Sequence, residues 1–208
     1  FWILTRFGSL KKIVLASSNS GKIKEFSEFF LGLEVDVIGQ SELGIESPIE
    51  TGATFIENAI IKARHASIEA GLPSIADDSG LIVPALNGEP GIFSARYAGI
   101  GATDDQNNNK LLQKMKDFSE HYRECYFVCI LIFLRSPSDP APLVAEGRWE
   151  GIVGDRPVGH NGFGYDPIFL EQKSGKTAAQ LSPRTKMNHG HRGQALRNLY
   201  KSLVLEPQ

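Results

Sequence analysis

The sequence predicts an α/β fold, and two observations carry that expectation. Short β-branched runs alternate with segments whose apolar residues recur at helical spacing, and no internal repeat or low-complexity stretch interrupts the alternation. The 208 residues are 41% hydrophobic and 22% charged, enough apolar surface for a sizeable core without metal or disulfide staples. Length suits one large domain or two closely packed ones. No Pro/Gly/Ser-rich linker divides the chain, so residues 11–205 are read as a single folding unit, compatible with two lobes around a cleft. Residues 1–10 (FWILTRFGSL) are read as a variable leader.

Residues 12–16 (KIVLA) read as a buried strand, followed by a polar loop over 17–21. A helix is predicted over 22–33, because Ile23, Phe26, Phe29, Phe30 and Leu33 share one face. Residues 35–38 form the next strand. Thr54-x-x-Glu57 is a capping box that opens a helix, with Phe55, Ala59, Ala63, Ala66 and Ala70 on one side and Gly71 and Pro73 ending it. A brief strand over 74–76 runs into Asp77-Asp78-Ser79-Gly80, with 81–83 as a possible resumption. Asn87-Gly88 and Pro90-Gly91 are turn signals. A second capping box, Thr103-x-x-Gln106, precedes a helix carrying Leu111, Leu112 and Met115. Residues 126–134 and 143–149 read as an antiparallel pair joined by a Pro/Ser/Asp loop. A glycine-rich loop over 159–166 leads to an extended 167–170, and the stripe Leu196, Leu199, Tyr200, Leu203 marks a final helix.

Charge and cysteine usage narrow the functions. Lys plus Arg is 22 against 24 for Asp plus Glu, a formal charge of −2 that argues against a dedicated binder of nucleic acid or membrane surface. No apolar run approaches the roughly 20 residues needed to cross a bilayer. Cys125 and Cys129 sit four residues apart in a strand-like run, about 13 Å if extended, too far for a mutual disulfide. With no second Cys/His pair at ligand spacing they do not suggest zinc, and reduced thiols suit the cytoplasm.

Four places carry candidate chemistry. Ser17, Ser18, Asn19, Ser20, Gly21 and Lys22 lie between a strand and a helix, where free N–H groups, the helix dipole and a lysine favour phosphate. This is not a Walker A loop, since Ala16 holds the first glycine position and Ile23 stands where Ser or Thr would bind magnesium. Alone, an ordinary turn capped by Asn19 or Ser20 is the plainer reading. Glu50, Asp77 and Asp78 can hold Mg²⁺, or one of them can act as base toward water. Consecutive acids after an apolar strand repel unless a cation or hydrogen bonds offset them, although Asp-Ser-Gly is also a common turn. Phe163, Gly164, Tyr165 and Asp166 offer close backbone approach, a ring to stack on a base and a carboxylate for its edge; a tight turn with core aromatics is the plainer reading. Lys173, Lys176, Arg184, Lys186, His191 and Arg192 form a basic group suited to phosphate or a keto oxygen, or simply a solvated face. His189-x-His191 lacks a third metal ligand nearby.

Together these segments resemble the inosine triphosphate pyrophosphatase family, which removes non-canonical purine nucleoside triphosphates. The resemblance runs from about residue 12 to 203 and rests on ASSNSGK (16–22), ETGATFIENAIIKA (50–63), ADDSGLIV (76–83), GEPGIFSARYAG (88–99), NGFGYDPIF (161–169) and HRGQAL (191–196). It implies two lobes around an elongated mixed β-sheet with a central nucleotide-binding cleft, and a homodimer. It implies Mg²⁺-dependent hydrolysis of ITP, dITP or XTP to a monophosphate plus pyrophosphate. By position, Ser17–Lys22 would bind triphosphate, and Glu50 and Asp78 would contact metal. Asp78 would also be the proton acceptor, with Asp77 beside it and Ser79 touching substrate. Phe163–Asp166, Lys186, His191 and Arg192 would surround base and sugar. Ser17-Ser18-Asn19 replaces the family's more usual Thr-Gly-Asn, adding a Cβ at position 18, and Pro183-Arg184 replaces an often acidic stretch.

The chemistry of the bases agrees with this reading. Hypoxanthine and xanthine present a 6-keto acceptor and adenine a 6-amino donor, so a pocket of Lys, Arg or His donors favours the former. Three other readings stay open. One is a nucleotide pyrophosphatase with a different base preference, such as modified pyrimidines. Another is a non-catalytic nucleotide-binding protein, against which Asp78 and Glu50 speak. The last is a nucleic-acid binder using the basic C-terminal segment, against which the net charge speaks.

Overall fold

The structure, a computed structural model, describes residues 11–33 and 35–205. The leader expected over 1–10 lies outside the described residues. Six strands form one sheet in the order β2-β1-β3-β4-β5-β6, with α-helices between and after them, so the α/β expectation holds. The sheet is mixed: β1 (Lys12–Leu15) pairs parallel with β2 (Asp36–Gly39) and β3 (Ser74–Ile82), whereas β5 (Leu143–Val153) pairs antiparallel with β6 (Phe169–Glu171). β4 (Glu124–Leu134) lies between β3 and β5.

The chain divides into two compact units. The first comprises the described residues up to Asp78, Ile130–Glu146, and Ala195 onward. In it, Ile13, Val14 and Leu15 are all buried, so both faces of β1 are covered, as parallel strands require. α1 (Ser20–Phe30) packs on β2, and α2 (Phe55–Ala70) packs on β1. The predicted capping box opens α2: Thr54 Oγ1 accepts from Glu57 N, and Glu57 Oε2 accepts from Thr54 N at 2.9 Å. Gly71 closes the helix in the left-handed region at φ 63°, where a Cβ would be strained.

The second unit comprises Ser79–Cys129 and Gly147–Gln194. Its core gathers Leu81, Tyr97, Leu111, Phe127, Trp149 and Phe169. α3 (Asp104–Met115) starts at the predicted Thr103 cap. Two short elements were not anticipated. α4 (Pro183–His189) is a seven-residue helix capped by Ser182, and β6 follows a single 3₁₀ turn at Asp166–Ile168 where extended chain was expected from 167. α5 (His191–Leu205) is the predicted last helix, and it buries Leu196 and Leu199. Cys125 and Cys129 are both buried and form no disulfide with each other, as their spacing implied, and burial pushes the Cys125 thiol up. No helix among the described residues is long and apolar enough to cross a membrane.

Candidate active site

The acidic pair sits inside a strand, not in a turn. β3 runs unbroken through Asp77-Asp78-Ser79-Gly80, which corrects both the break expected after 76 and the turn reading of Asp-Ser-Gly. Successive strand residues face opposite sides, so the neighbouring carboxylates meet different cations. Asp77 pairs with Lys22 of α1, and Asp78 Oδ1 lies 2.6 Å from Lys62 Nζ of α2. Each lysine offsets the repulsion and desolvation that two buried acids would otherwise suffer.

Lys62 is a candidate site residue that sequence reasoning missed. Its Nζ also donates to the Asp77 carbonyl at 2.9 Å and lies 3.1 Å from Glu50 Oε1. Thus Glu50 and Asp78, far apart in sequence, converge on one ammonium. Burial pulls the Lys62 pKa down, but the attraction of Asp78 and Glu50 outweighs it, and the pKa ends above the ordinary lysine value. For Asp78 burial wins: its pKa is raised although Lys62 opposes the shift. The signal was legible, because Lys62 falls on the same helical stripe as Ala59, Ala63 and Ala66, and a lysine there needs a buried acid.

The loop from β1 to α1 runs into a helix N-terminus, as anticipated. Asn19, not Ser20, is the N-cap, its Oδ1 accepting from Lys22 N at 3.0 Å. The helix begins at Ser20, two residues earlier than predicted, so Ser20, Gly21 and Lys22 form its first turn. Asn19 N donates to Ser17 Oγ at 3.2 Å. Ser18 Oγ accepts from Gln40 Nε2 at 3.1 Å, and the same amide nitrogen donates to Ser47 Oγ at 2.6 Å. Gln40 therefore ties the loop to the segment that leads to Glu50.

In the second unit the predicted base-side residues separate into two groups. Phe163 is half-buried, with Lys186 Nζ 4.5 Å and Arg192 Cζ 5.6 Å from its ring centroid. Lys186 Nζ also lies 2.5 Å from Asp166 Oδ2, which accepts from Phe163 N at 2.9 Å. Arg192 Nη2 donates to Ser79 Oγ at 3.0 Å, which brings Ser79 into this cluster. Gly162 is required here: at φ 81° a Cβ would fall 1.9 Å from Asp166 Oδ2. Tyr165 and His191 go elsewhere. Tyr165 joins the core and donates its hydroxyl to the Ser94 carbonyl at 2.9 Å. His191 stacks on Phe127 at 4.7 Å, with Trp149 at 6.4 Å.

The basic group read from the C-terminal third divides the same way. Lys186 and Arg192 are buried, whereas Lys173, Lys176 and Arg184 are exposed on a solvated face. His189 Nδ1 lies 2.9 Å from Glu171 Oε1. Among the described residues no group of three or more His, Cys, Asp and Glu side chains is placed to hold a metal. Mg²⁺ needs less than that, since it is commonly held by one or two carboxylates together with substrate phosphates and water. Glu50 and Asp78, two carboxylates already converging on a cation, fit that requirement.

An α/β sheet, a capped helix N-terminus with its lysine, and paired buried acids suit a phosphate-handling protein. Residues 13–202 match the Ham1 family, and the chain belongs to it. It is 50% identical over 194 residues to a dITP/XTP pyrophosphatase of Shigella flexneri, covering 93% of this chain and 98% of that one. A solved HAM1 protein from Coxiella burnetii superposes with a TM-score of 0.86 at 48% identity, covering 94% of this chain and 99% of that one. A solved nucleoside-triphosphatase / dITP/XTP pyrophosphatase from Mycobacterium abscessus gives a TM-score of 0.71 at 37% identity, covering 94% and 100% of the two chains. The resemblance read from six separated motifs is borne out.

Proposed function

We infer that this protein hydrolyses non-canonical purine nucleoside triphosphates, ITP, dITP and XTP, to the monophosphate and pyrophosphate, and so cleanses the nucleotide pool. The observation that carries the reading is the convergence of Asp78 and Glu50 on Lys62 in the unit that also holds the Ser17–Lys22 helix N-terminus. Its relatives' names point the same way. Residues 11–205 act as one pyrophosphatase domain in this reading.

The two ends of a nucleoside triphosphate ask for different chemistry. The N–H groups of the first turn of α1 and the Lys22 ammonium bind the triphosphate. Asp78 accepts a proton from the attacking water, a role suited to a carboxylate whose pKa burial has raised toward the working pH. Lys62 holds that carboxylate in place and limits the rise. Glu50 and Asp78 would hold Mg²⁺, which would supply Lewis-acid polarisation of the phosphate oxygens. Phe163 stacks on the base. Lys186 and Arg192 can only donate hydrogen bonds, so they accept a 6-keto oxygen and oppose a 6-amino group. His191 and Tyr165 support this wall from the core, while Ser79 and Asp166 orient the two cations. The protein is proposed to act as a cytoplasmic homodimer, with neither nucleic acid nor membrane as partner.

Incubation with ITP and Mg²⁺, with products resolved chromatographically, tests the reaction. IMP and pyrophosphate are expected. IDP and orthophosphate as main products would overturn the cleavage position.

A further inference from the structure

Helix α3 contributes nothing to the site residues read from the sequence, yet its first two turns hold the loop that carries Phe163. Asp104 and Asn108 are four residues apart and so share one helix face. Gly164 N donates to Asp104 Oδ2 at 2.7 Å, and Asn108 Nδ2 donates to Gly164 O at 3.1 Å. Both polar groups of a single residue are thus gripped from one helix, at a glycine whose φ of 62° lies in the left-handed region. Asn108 is 2% exposed, and its Oδ1 has no hydrogen-bond partner among the described residues. A buried amide half-satisfied in this way is unfavourable for folding alone. The next side chain back, Asn107, grips a second loop, with Ala98 N donating to its Oδ1 at 2.7 Å and its Nδ2 donating to Ala95 O at 3.2 Å.

We propose that Asp104 and Asn108 are positioning residues for base recognition: by clamping the Gly164 peptide groups they fix the Phe163 ring on which Lys186 and Arg192 rest. The proposal builds on the reading of Phe163 as the base-stacking wall. A loop with two of its backbone groups already satisfied loses less freedom when a base binds, and pre-organisation of this kind appears as affinity. The clamp is built from α3 and the Phe163 loop and shares no residue with the phosphate loop or the acidic pair, so it acts on nucleoside binding and not on the chemical step.

The test compares Asp104→Ala, Asp104→Asn, Asn108→Ala and Phe163→Ala for ITP turnover and for inhibition by inorganic tripolyphosphate, a probe with no base. In Asp104→Ala and Asn108→Ala the KM for ITP should rise about five- to thirty-fold, the scale of one lost buried hydrogen bond, while kcat and the tripolyphosphate Ki stay put. Asp104→Asn keeps an acceptor for Gly164 N but removes the charge from the helix start, and should restore KM toward wild type. Amide hydrogen exchange at Gly164 should accelerate in Asp104→Ala only. An Asp104→Asn protein as impaired as Asp104→Ala would show that the charge at the helix N-terminus matters and not the clamp. A tripolyphosphate Ki rising in step with KM would mean general loss of structure, and would also overturn the proposal. If Phe163→Ala raises KM while both clamp variants leave it unchanged, the clamp alone is refuted. If Phe163→Ala also leaves KM unchanged, the base-wall reading falls and the clamp falls with it.

Discussion

Lys62 Nζ stands 2.6 Å from Asp78 Oδ1, so the carboxylate assigned to activate water is already bound to a buried ammonium. The pair explains why Asp78 is not pushed higher by burial than it is. Replacing the lysine by an apolar side chain of similar length leaves the burial and the nearby Glu50 charge, both of which raise the pKa, without their main opponent. In metal-free Lys62→Met the Asp78 carboxyl, followed by its carbon chemical shift, should therefore titrate at higher pH than in the wild type. An unchanged titration would mean that Lys62 is not the cation that governs Asp78.

Asp78→Asn keeps the size of the side chain and an acceptor for Lys62 but removes the base. Turnover should fall by about 10²-fold or more, the usual contribution of a positioned general base. ITP binding, measured by calorimetry in the absence of turnover, should persist. Near-normal turnover by a folded Asp78→Asn protein would assign the base elsewhere.

Local patterns were legible in the sequence where they are self-contained. The Thr54 and Thr103 capping boxes, the Gly71 stop and the Leu196–Leu203 stripe each signal their element within a few residues, and each is found. Features that depend on partners far along the chain were not legible. Asp77-Asp78-Ser79-Gly80 reads as a turn because nothing nearby shows that Lys22 and Lys62 will neutralise it, and with those cations in place the strand continues. α4 has seven polar-rich residues and starts at a proline, so it lacks the apolar period that marks a helix. The same limit split the basic group: Lys186 and Lys176 look alike in sequence, and only the distant Asp166 carboxylate and Phe163 ring distinguish the buried one.

Ser18 is one departure from the family pattern, and the structure gives its side chain a partner. Ser18→Gly removes an acceptor from Gln40 Nε2, which keeps its bond to Ser47. The variant loses a neutral hydrogen bond of about 0.5–1.5 kcal/mol. It also gains unfolded-chain entropy worth about 0.4–1 kcal/mol. Denaturant unfolding should show a loss of about 1–2.5 kcal/mol, with the KM for ITP little changed. A large fall in KM would instead show that the Ser18 Cβ crowds the bound phosphate.

Glu171 is buried and receives Ser174 Oγ at 2.6 Å and His189 Nδ1 at 2.9 Å. Burial would raise its pKa, but these bonds outweigh it and the folded value lies below the ordinary one. A depressed carboxylate contributes stability above its unfolded pKa and loses it as pH falls through the folded one. Glu171→Gln should therefore be destabilised by about 1–3 kcal/mol at neutral pH, and the gap from wild type should close on acidification below the ordinary glutamate range. A gap independent of pH would show that packing, not charge, makes the difference.

Arg192 can serve the base or the phosphates, and its surroundings favour the base. It is buried, its Nη2 donates to Ser79 Oγ, and its guanidinium lies over the Phe163 ring. A guanidinium held this way donates to a 6-keto oxygen of ITP and meets another donor at the 6-amino group of ATP. Arg192→Ala should therefore narrow the discrimination. A hydrogen bond to a charged group contributes about 1.5–3 kcal/mol, so the ratio of kcat/KM for ITP over ATP should drop roughly ten- to hundred-fold. Phe163→Ala serves as the contrast, because stacking is indifferent to the base and its loss of about 1–3 kcal/mol should weaken both nucleotides alike. If Arg192 gripped phosphate, which the two substrates share, both specificity constants would fall together and their ratio would hold. Steady-state kinetics on ITP and ATP, run side by side on the two variants, separates these outcomes.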